Sequence, residues 1–204
     1  ETSKQVTDTE AEWYDLQQQI KDTANAIYEA NKEQSNFYKE AHTTELEYSY
    51  DELSDKMDIL QSKLELASNT NKIDILNQEL TLLEQQKQKL KEIEASYRSQ
   101  QQYYKNYLSG KGFTFNSEGD ITNGAAQLDK YKSHDELESI KDAYEKYMEL
   151  QRNTIPDLEK DWYDLKNSQA EAKEEIEATK KEMEELAKIK ILDDADDLIH
   201  EYEQ

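Results

Sequence analysis

Apolar residues recur along this chain at alternating spacings of four and three, and no other feature limits its possible folds as strongly. Three such seams occur, and their members are Leu46, Tyr50, Leu53, Met57, Leu60, Leu64 and Ala67; Ile73, Leu76, Leu80, Leu83, Leu90 and Tyr97; and Leu158, Trp162, Leu165, Ala172, Ile176, Met183 and Leu186. Heptad-like spacing places these residues on one narrow stripe of a helix, which is buried against a partner helix. The sequence therefore predicts an all-α fold of long, laterally packed helices.

Polar residues interrupt two of these seams. The second seam is broken at Lys87 and Glu94, and the third is broken at Gln169 and Thr179. Before Leu46 the pattern loosens, and the first part of the chain keeps only a few apolar residues at helical spacing. We expect that first part to need a partner that this chain does not supply.

The composition agrees with long exposed helices and excludes a large spherical core. Apolar residues make up 35% of the 204 residues and charged residues another 35%, against roughly 45–50% and 25% in ordinary globular domains. The formal net charge is −22, and such a surface repels phosphate backbones and anionic lipid headgroups. We therefore expect no direct nucleic-acid binding and no membrane binding by this segment. Because the sequence begins with Glu1, we also expect it to be an excerpt of a longer protein.

Glycine, proline and helix-start signals divide the chain. All four glycines lie between Gly110 and Gly124, and Pro156 is the single proline. The predicted segments are a long first helix over 1–70, a second antiparallel helix over 71–109, a glycine-rich loop with a short helix over 110–133, and a third long helix over 134–204 that is kinked near 154–156. A separate short helix is expected to start at Asp193. Because the first turn is short, the first two helices are predicted to be antiparallel neighbours in a helical hairpin or coiled-coil rod.

The glycine-rich stretch has the pattern of a β-hairpin. Two short runs with β propensity flank a turn rich in Asn, Ser and Gly, which predicts a small hairpin insertion at about 112–123. A two-stranded ribbon is marginally stable by itself. We therefore expect Phe113, Phe115 and Ile121 to pack on the neighbouring helix ends.

A short motif occurs twice, and its two copies are 149 residues apart. Glu12-Trp13-Tyr14-Asp15-Leu16 recurs as Asp161-Trp162-Tyr163-Asp164-Leu165, and the same offset pairs Ile27 with Ile176. One interpretation is two amphipathic helices of similar, biased composition. The interpretation that we favour is one long repeat followed by the start of the next. The candidate structural and interaction residues of the chain are therefore Trp13, Tyr14, Leu16, Trp162, Tyr163, Leu165, Phe113, Phe115 and Ile121.

The sequence contains no catalytic or metal-binding pattern. The histidines His42, His134 and His200 are far apart in the sequence, and none has a ligand neighbour at metal-binding spacing. The stretch 114–125 places Gly119 where a calcium loop needs glycine but lacks the carboxylates at its first and last positions. We therefore expect no enzyme activity, no cofactor and no metal.

Fourteen tyrosines are unusual for a heptad protein. One group lies near the end of the second predicted helix and another lies early in the third; these are Tyr97, Tyr103, Tyr104, Tyr107, Tyr144 and Tyr147. We favour the interpretation that their rings fill a seam beside the hairpin and leave their hydroxyls in water. The alternative is a docking surface for an enclosing partner.

These patterns together resemble the repeated helical region of tape-measure proteins from the tails of tailed phages and prophages. The resemblance includes the seam from Tyr50 to Leu90 and the stretch from Ile155 to Leu165. Its most specific part is the string F-x-F-x-x-x-G-x-I-x-N, which runs here from Phe113 to Asn123. Gly124 departs from the pattern, in which an aromatic residue follows the asparagine.

The resemblance implies a rod inside the growing tail tube that sets the tail length and leaves during DNA ejection. It implies self-association as a homo-oligomer in the tail lumen, contact with tail tube and tail assembly proteins, and a location in the virion tail after assembly in the bacterial cytoplasm. The alternative is a coiled-coil stalk or interaction module of a bacterial surface or secreted protein.

Overall fold

The computed structural model describes the backbone of residues 2–132 and 134–202, and the side chains of residues 13–132 and 134–191. Its helices are Thr2–Leu64 (α1), Asn69–Gly110 (α2), Gly124–Lys130 (α3), Leu137–Glu149 (α4) and Ile155–Tyr202 (α5), and a π-helical segment at Leu150–Thr154 joins α4 to α5. The predicted all-α class is confirmed for these residues. Long helices form here because apolar seams supply buried faces and because Gly and Pro occur only at helix ends or between helices.

The chain divides into two compact units, Glu1–His42 and Thr43–Gln204. The described part of the first unit belongs to the amino-terminal portion of α1. The second unit contains the remainder of α1 together with α2, α3, α4, the π-helical segment and α5.

In the second unit, α1 and α2 run in opposite directions. The Thr43 hydroxyl lies 2.6 Å from the Ser96 hydroxyl, and the Gln100 amide donates a hydrogen bond to the Thr43 oxygen at 2.7 Å. Further toward the end of α1, the Gln86 amide donates to the Ser54 hydroxyl at 3.1 Å. Residues later in α1 thus meet residues earlier in α2, as the short connection after Leu64 requires.

Helix α5 also runs antiparallel to α2. Arg98 near the end of α2 forms an ion pair with Glu159 near the start of α5. Near the start of α2, the Lys72 ammonium lies 2.6 Å from the carboxylate of Glu175 in the middle of α5. Together α1, α2 and α5 enclose an open groove of about 410 Å³ that Met57, Leu83 and Ala172 help to line.

The predicted β-hairpin at 112–123 is wrong. No strand forms among the described residues, and this region contains only an isolated antiparallel bridge between Phe115 and Ile121. The physical reason is local, because the Asn116 side-chain oxygen accepts hydrogen bonds from the backbone N–H groups of Glu118 and Asp120. An asparagine that satisfies its own turn in this way favours a compact loop over a longer strand ladder.

Helix α5 is longer than the sequence indicated. It continues without a break through Asp193 to Tyr202, so the prediction of a separate last helix from Asp193 is wrong. The π-helical segment ends two residues before Pro156, whose ring nitrogen has no hydrogen to donate to a carbonyl of the preceding turn. A π-helical turn changes the hydrogen-bond register locally and allows the helix to continue through the proline.

Candidate functional site

The glycine-rich loop lies on a buried hydrophobic cluster of the second unit. We call residues 111–123 the cap loop. The buried members of the cluster come from α2, the cap loop, α4, the π-helical segment and α5, and they are Tyr104, Leu108, Phe113, Ile140, Ala143, Tyr147, Leu150 and Ile155. Leu108 and Ile140 have no exposed surface. The cap loop is therefore part of the core of this unit.

Aromatic rings attach the cap loop to the helices. Phe113 is buried, and its ring centre lies 6.0 Å from that of Tyr144. Phe115 packs edge-on against Tyr147 with ring centres 5.2 Å apart, and the Lys105 ammonium lies 5.2 Å from the Phe115 ring centre. Ile121 packs against the same cluster. These contacts bring Phe113, Phe115 and Ile121 together on one surface.

Two side chains from the helix below hold the turn of the cap loop. The Tyr147 hydroxyl donates a hydrogen bond to the Gly119 carbonyl, and the Gln151 amide donates to the Glu118 carbonyl at 2.9 Å. Burial raises the pKa of Tyr147 above its usual range, and the nearby Asp120 carboxylate adds to this shift. The interpretation that the tyrosine hydroxyls are left in water is therefore wrong for Tyr147.

Gly119 itself is required at this turn. Its φ angle is +90°, a conformation that L-residues with a side chain rarely adopt. A Cβ atom at this position would lie 3.2 Å from the Tyr147 hydroxyl oxygen. The backbone therefore approaches Tyr147 more closely than a larger residue would permit.

The other end of the cap loop is closed by amide side chains. The Asn123 amide donates to the Gly112 carbonyl at 3.0 Å, and its oxygen accepts from the Thr114 N–H at 2.9 Å. Gly124 follows, is buried, and would place a Cβ atom 2.9 Å from the Tyr144 ring. The close approach of Tyr144 explains why this position holds glycine and leaves no room for the aromatic residue that the resemblance suggested.

Replacing Phe115 by Ala is expected to loosen the cap loop and the helix ends beside it while most helicity remains. The substitution removes the ring that packs between Tyr147 and Lys105, whereas the seams along α2 and α5 are unchanged. Hydrogen exchange measured by mass spectrometry should accelerate over residues 104–126. The matched control is Phe37→Ala, because the Phe37 ring is exposed in the first unit. Equal exchange over 104–126 in the two variants would contradict this assignment.

The two copies of the Trp-Tyr motif have different surroundings. Trp162 and Leu165 are half-buried in the second unit, and Tyr163 is exposed beside them. The ammonium groups of Lys87, Lys91 and Lys166 lie 5.3, 5.1 and 5.9 Å from the Trp162 ring. In the first unit, all three corresponding side chains are exposed, and these are Trp13, Tyr14 and Leu16.

Two of the polar interruptions in the seams contact each other. The Lys87 ammonium donates to the Gln169 side-chain oxygen at 2.8 Å, and the Gln169 amide donates to the Glu84 carboxylate at 2.8 Å. A polar contact of this kind within an apolar interface favours one register of the two helices over the others. Lys87 and Gln169, one broken position from each seam, therefore favour one alignment of α2 and α5.

A further polar contact between α1 and α2 involves Tyr97 and Glu47. The Tyr97 hydroxyl donates a hydrogen bond to the Glu47 carboxylate. Burial raises the pKa of Tyr97, and the hydrogen bond to Glu47 together with the carboxylate charge raises it further. The groove between α1, α2 and α5 also contains a carboxyl with a raised pKa, that of Glu79, for which burial is the largest cause.

Sequence reasoning missed the residues that hold the cap loop by hydrogen bonds. Gln101 and Gln127 donate to Gln151 and to the Lys111 carbonyl, respectively. Neither glutamine lies in an apolar seam. The composition of the Asn- and Gly-rich loop was the only available signal, and it indicated a turn without indicating its anchors.

Within residues 13–132 and 134–191, no group of three or more His, Asp or Glu side chains is arranged to hold a metal ion. In the part of the chain that the structure describes, no helix has the length and apolar character that crossing a bilayer requires.

Comparison with known proteins finds no matching family model, no matching curated protein and no matching solved structure.

Proposed function

We propose that this chain is a structural segment of a phage tail tape-measure protein, acting as a helical ruler and scaffold in the tail tube during tail assembly. The observation that carries the proposal is the string from Phe113 to Asn123 between two long apolar seams. Several of its residues hold the cap loop in place, and they include Phe113, Phe115, Gly119 and Asn123.

The packing of the second unit supports a scaffold role. The polar and ionic contacts between α2 and α5 extend from Lys72 to Arg98, and the Lys87–Gln169 hydrogen bond lies between those ends. A ruler needs helices that keep one alignment over many turns, and contacts distributed along a helix favour this. In the proposed role, copies of the chain associate in the tail lumen and contact tail tube and tail assembly proteins.

The competing proposal is a coiled-coil stalk of a bacterial surface or secreted protein, which the same helical seams also favour. An antibody against this chain separates the two. The tape-measure proposal expects the chain in purified tails, shielded from the antibody until DNA ejection. Labelling of intact bacteria, with no chain in purified tails, would contradict the tape-measure proposal and support the stalk.

We also predict an elongated, monomeric or weakly associating rod in solution, because the seams within one chain partly satisfy one another. Small-angle X-ray scattering should give a skewed distance distribution with a maximum dimension of at least about 90 Å, the length of some 60 helical residues at 1.5 Å each. A symmetric distribution typical of a compact sphere would contradict the rod.

A further inference from the structure

We propose that residues 13–31 dock on the α2 helix of a second copy of the helical unit, in the position that α5 occupies within its own unit. The docking surface is a stripe of four apolar side chains, Trp13, Leu16, Ile20 and Ile27, which we call the amino-terminal stripe. Their exposed fractions are 62%, 51%, 61% and 58%, respectively. The proposal concerns repeat packing and holds for a tail ruler or for a stalk.

The 149-residue offset places the amino-terminal stripe on a packed face of α5. It pairs Trp13 with Trp162, Leu16 with Leu165, Ile20 with Gln169 and Ile27 with Ile176. Trp162 and Leu165 are half-buried in the second unit, and Gln169 and Ile176 are buried. The same helical face is therefore packed in one copy of the motif and exposed in the other.

The packed part of α5 ends before Leu186, which is exposed. On the α5 side, the last half-buried residue before this point is Met183. All four residues of the amino-terminal stripe thus correspond to residues in the packed part of α5, whereas Thr23 and Gln34 stand where α5 has Ala172 and Met183.

Charge favours the same partner. Residues 6–42 contain three basic and eight acidic residues, a net charge of −5, and residues 155–191 contain seven and eleven, a net charge of −4. Helix α2 contains six basic and five acidic residues, a net charge of +1 in a chain of −22. Glu159 of α5 forms an ion pair with Arg98 of α2, and the 149-residue offset pairs Glu159 with Glu10.

The chain's own α2 is not the partner, because α5 already covers it. Lys72, Lys87 and Arg98 all contact α5 side chains. The occupant is therefore an α2 helix whose unit lacks its own α5, as arises when helical units follow one another in a longer chain.

A tandem chain tests this docking. Residues 43–154 are placed before residue 6 of the otherwise complete chain, so that Thr154 joins Val6 as it normally joins Ile155. We expect amide exchange over residues 13–31 to slow at least about tenfold relative to the native chain, because packing protects a helix whose side chains are otherwise exposed. The control is the same tandem chain with Trp13, Leu16, Ile20 and Ile27 all replaced by Ala, which keeps helix propensity and removes the stripe.

A second variant covers the case in which the tandem chain fails to fold. In the native chain, residues 155–191 are replaced by the sequence of residues 6–42. In this variant we expect the amide exchange of α2 to stay within about threefold of that in the native chain. When the four apolar residues of the transplanted stripe are replaced by Ala, we expect α2 to lose this protection. Equal loss with and without the alanines would overturn the proposal. So would sedimentation showing that the native chain forms a dimer through the amino-terminal stripe, since the occupant would then be a second stripe.

Discussion

Under the proposed function, we expect phage tails to become shorter when Tyr14 through Trp162 are deleted from the protein that contains this segment. The deletion joins Trp13 to Tyr163, which restores one Trp-Tyr-Asp-Leu motif and preserves the register of the flanking helices. A fully extended segment would remove about 220 Å at 1.5 Å per helical residue. We expect a smaller loss, because α2 runs antiparallel to its neighbours and its 42 residues retrace about 60 Å. Electron micrographs of the mutant tails measure the difference.

The matched control duplicates the same segment. Inserting a second copy of Tyr14 through Trp162 after Trp162 again preserves the motif and the helical register. Tails should lengthen by the amount by which the deletion shortens them. Tails of unchanged length in both variants would remove the ruler role from this segment, whereas a change in tail yield without a change in length would indicate a role in assembly only.

Replacing Leu108 by Ala is expected to destabilise the second unit by about 2–5 kcal/mol, the usual range for a fully buried leucine. Leu108 has no exposed surface and lies in the buried cluster beneath the cap loop. Its carbonyl also accepts a hydrogen bond from the Phe113 N–H at 3.0 Å, so the start of the cap loop depends on this turn of α2. Urea unfolding followed by circular dichroism measures the change in the free energy of unfolding.

The control for Leu108 is the same substitution at Leu66. Leu66 lies in the connection between α1 and α2 and is 89% exposed. Surface substitutions away from special features usually change stability by about 0.5 kcal/mol or less. A Leu108→Ala variant as stable as Leu66→Ala would show that the cluster beneath the cap loop does not stabilise this unit.

Some features of the fold could be predicted from residue spacing alone. The second and third seams predicted helices over the regions that α2 and α5 occupy, because a period near 3.5 residues has no other regular solution. The prediction of strands in the cap loop was wrong, because Phe115 and Ile121 have β propensity but Asn116 closes the turn with its own side chain. Propensity describes neighbours in sequence and does not include such a competing hydrogen bond.

The sequence by itself determined the helical class and the recurrence of the Trp-Tyr motif, since these depend on local spacing and composition. Only the tertiary structure decided that Lys87 contacts Gln169, that Tyr147 holds Gly119, and that Gly124 lies against Tyr144. Each of these contacts joins residues between 20 and 82 positions apart. Such pairings depend on how helices align and which faces meet. A single sequence shows which face of a helix is apolar but does not show which helix packs against it.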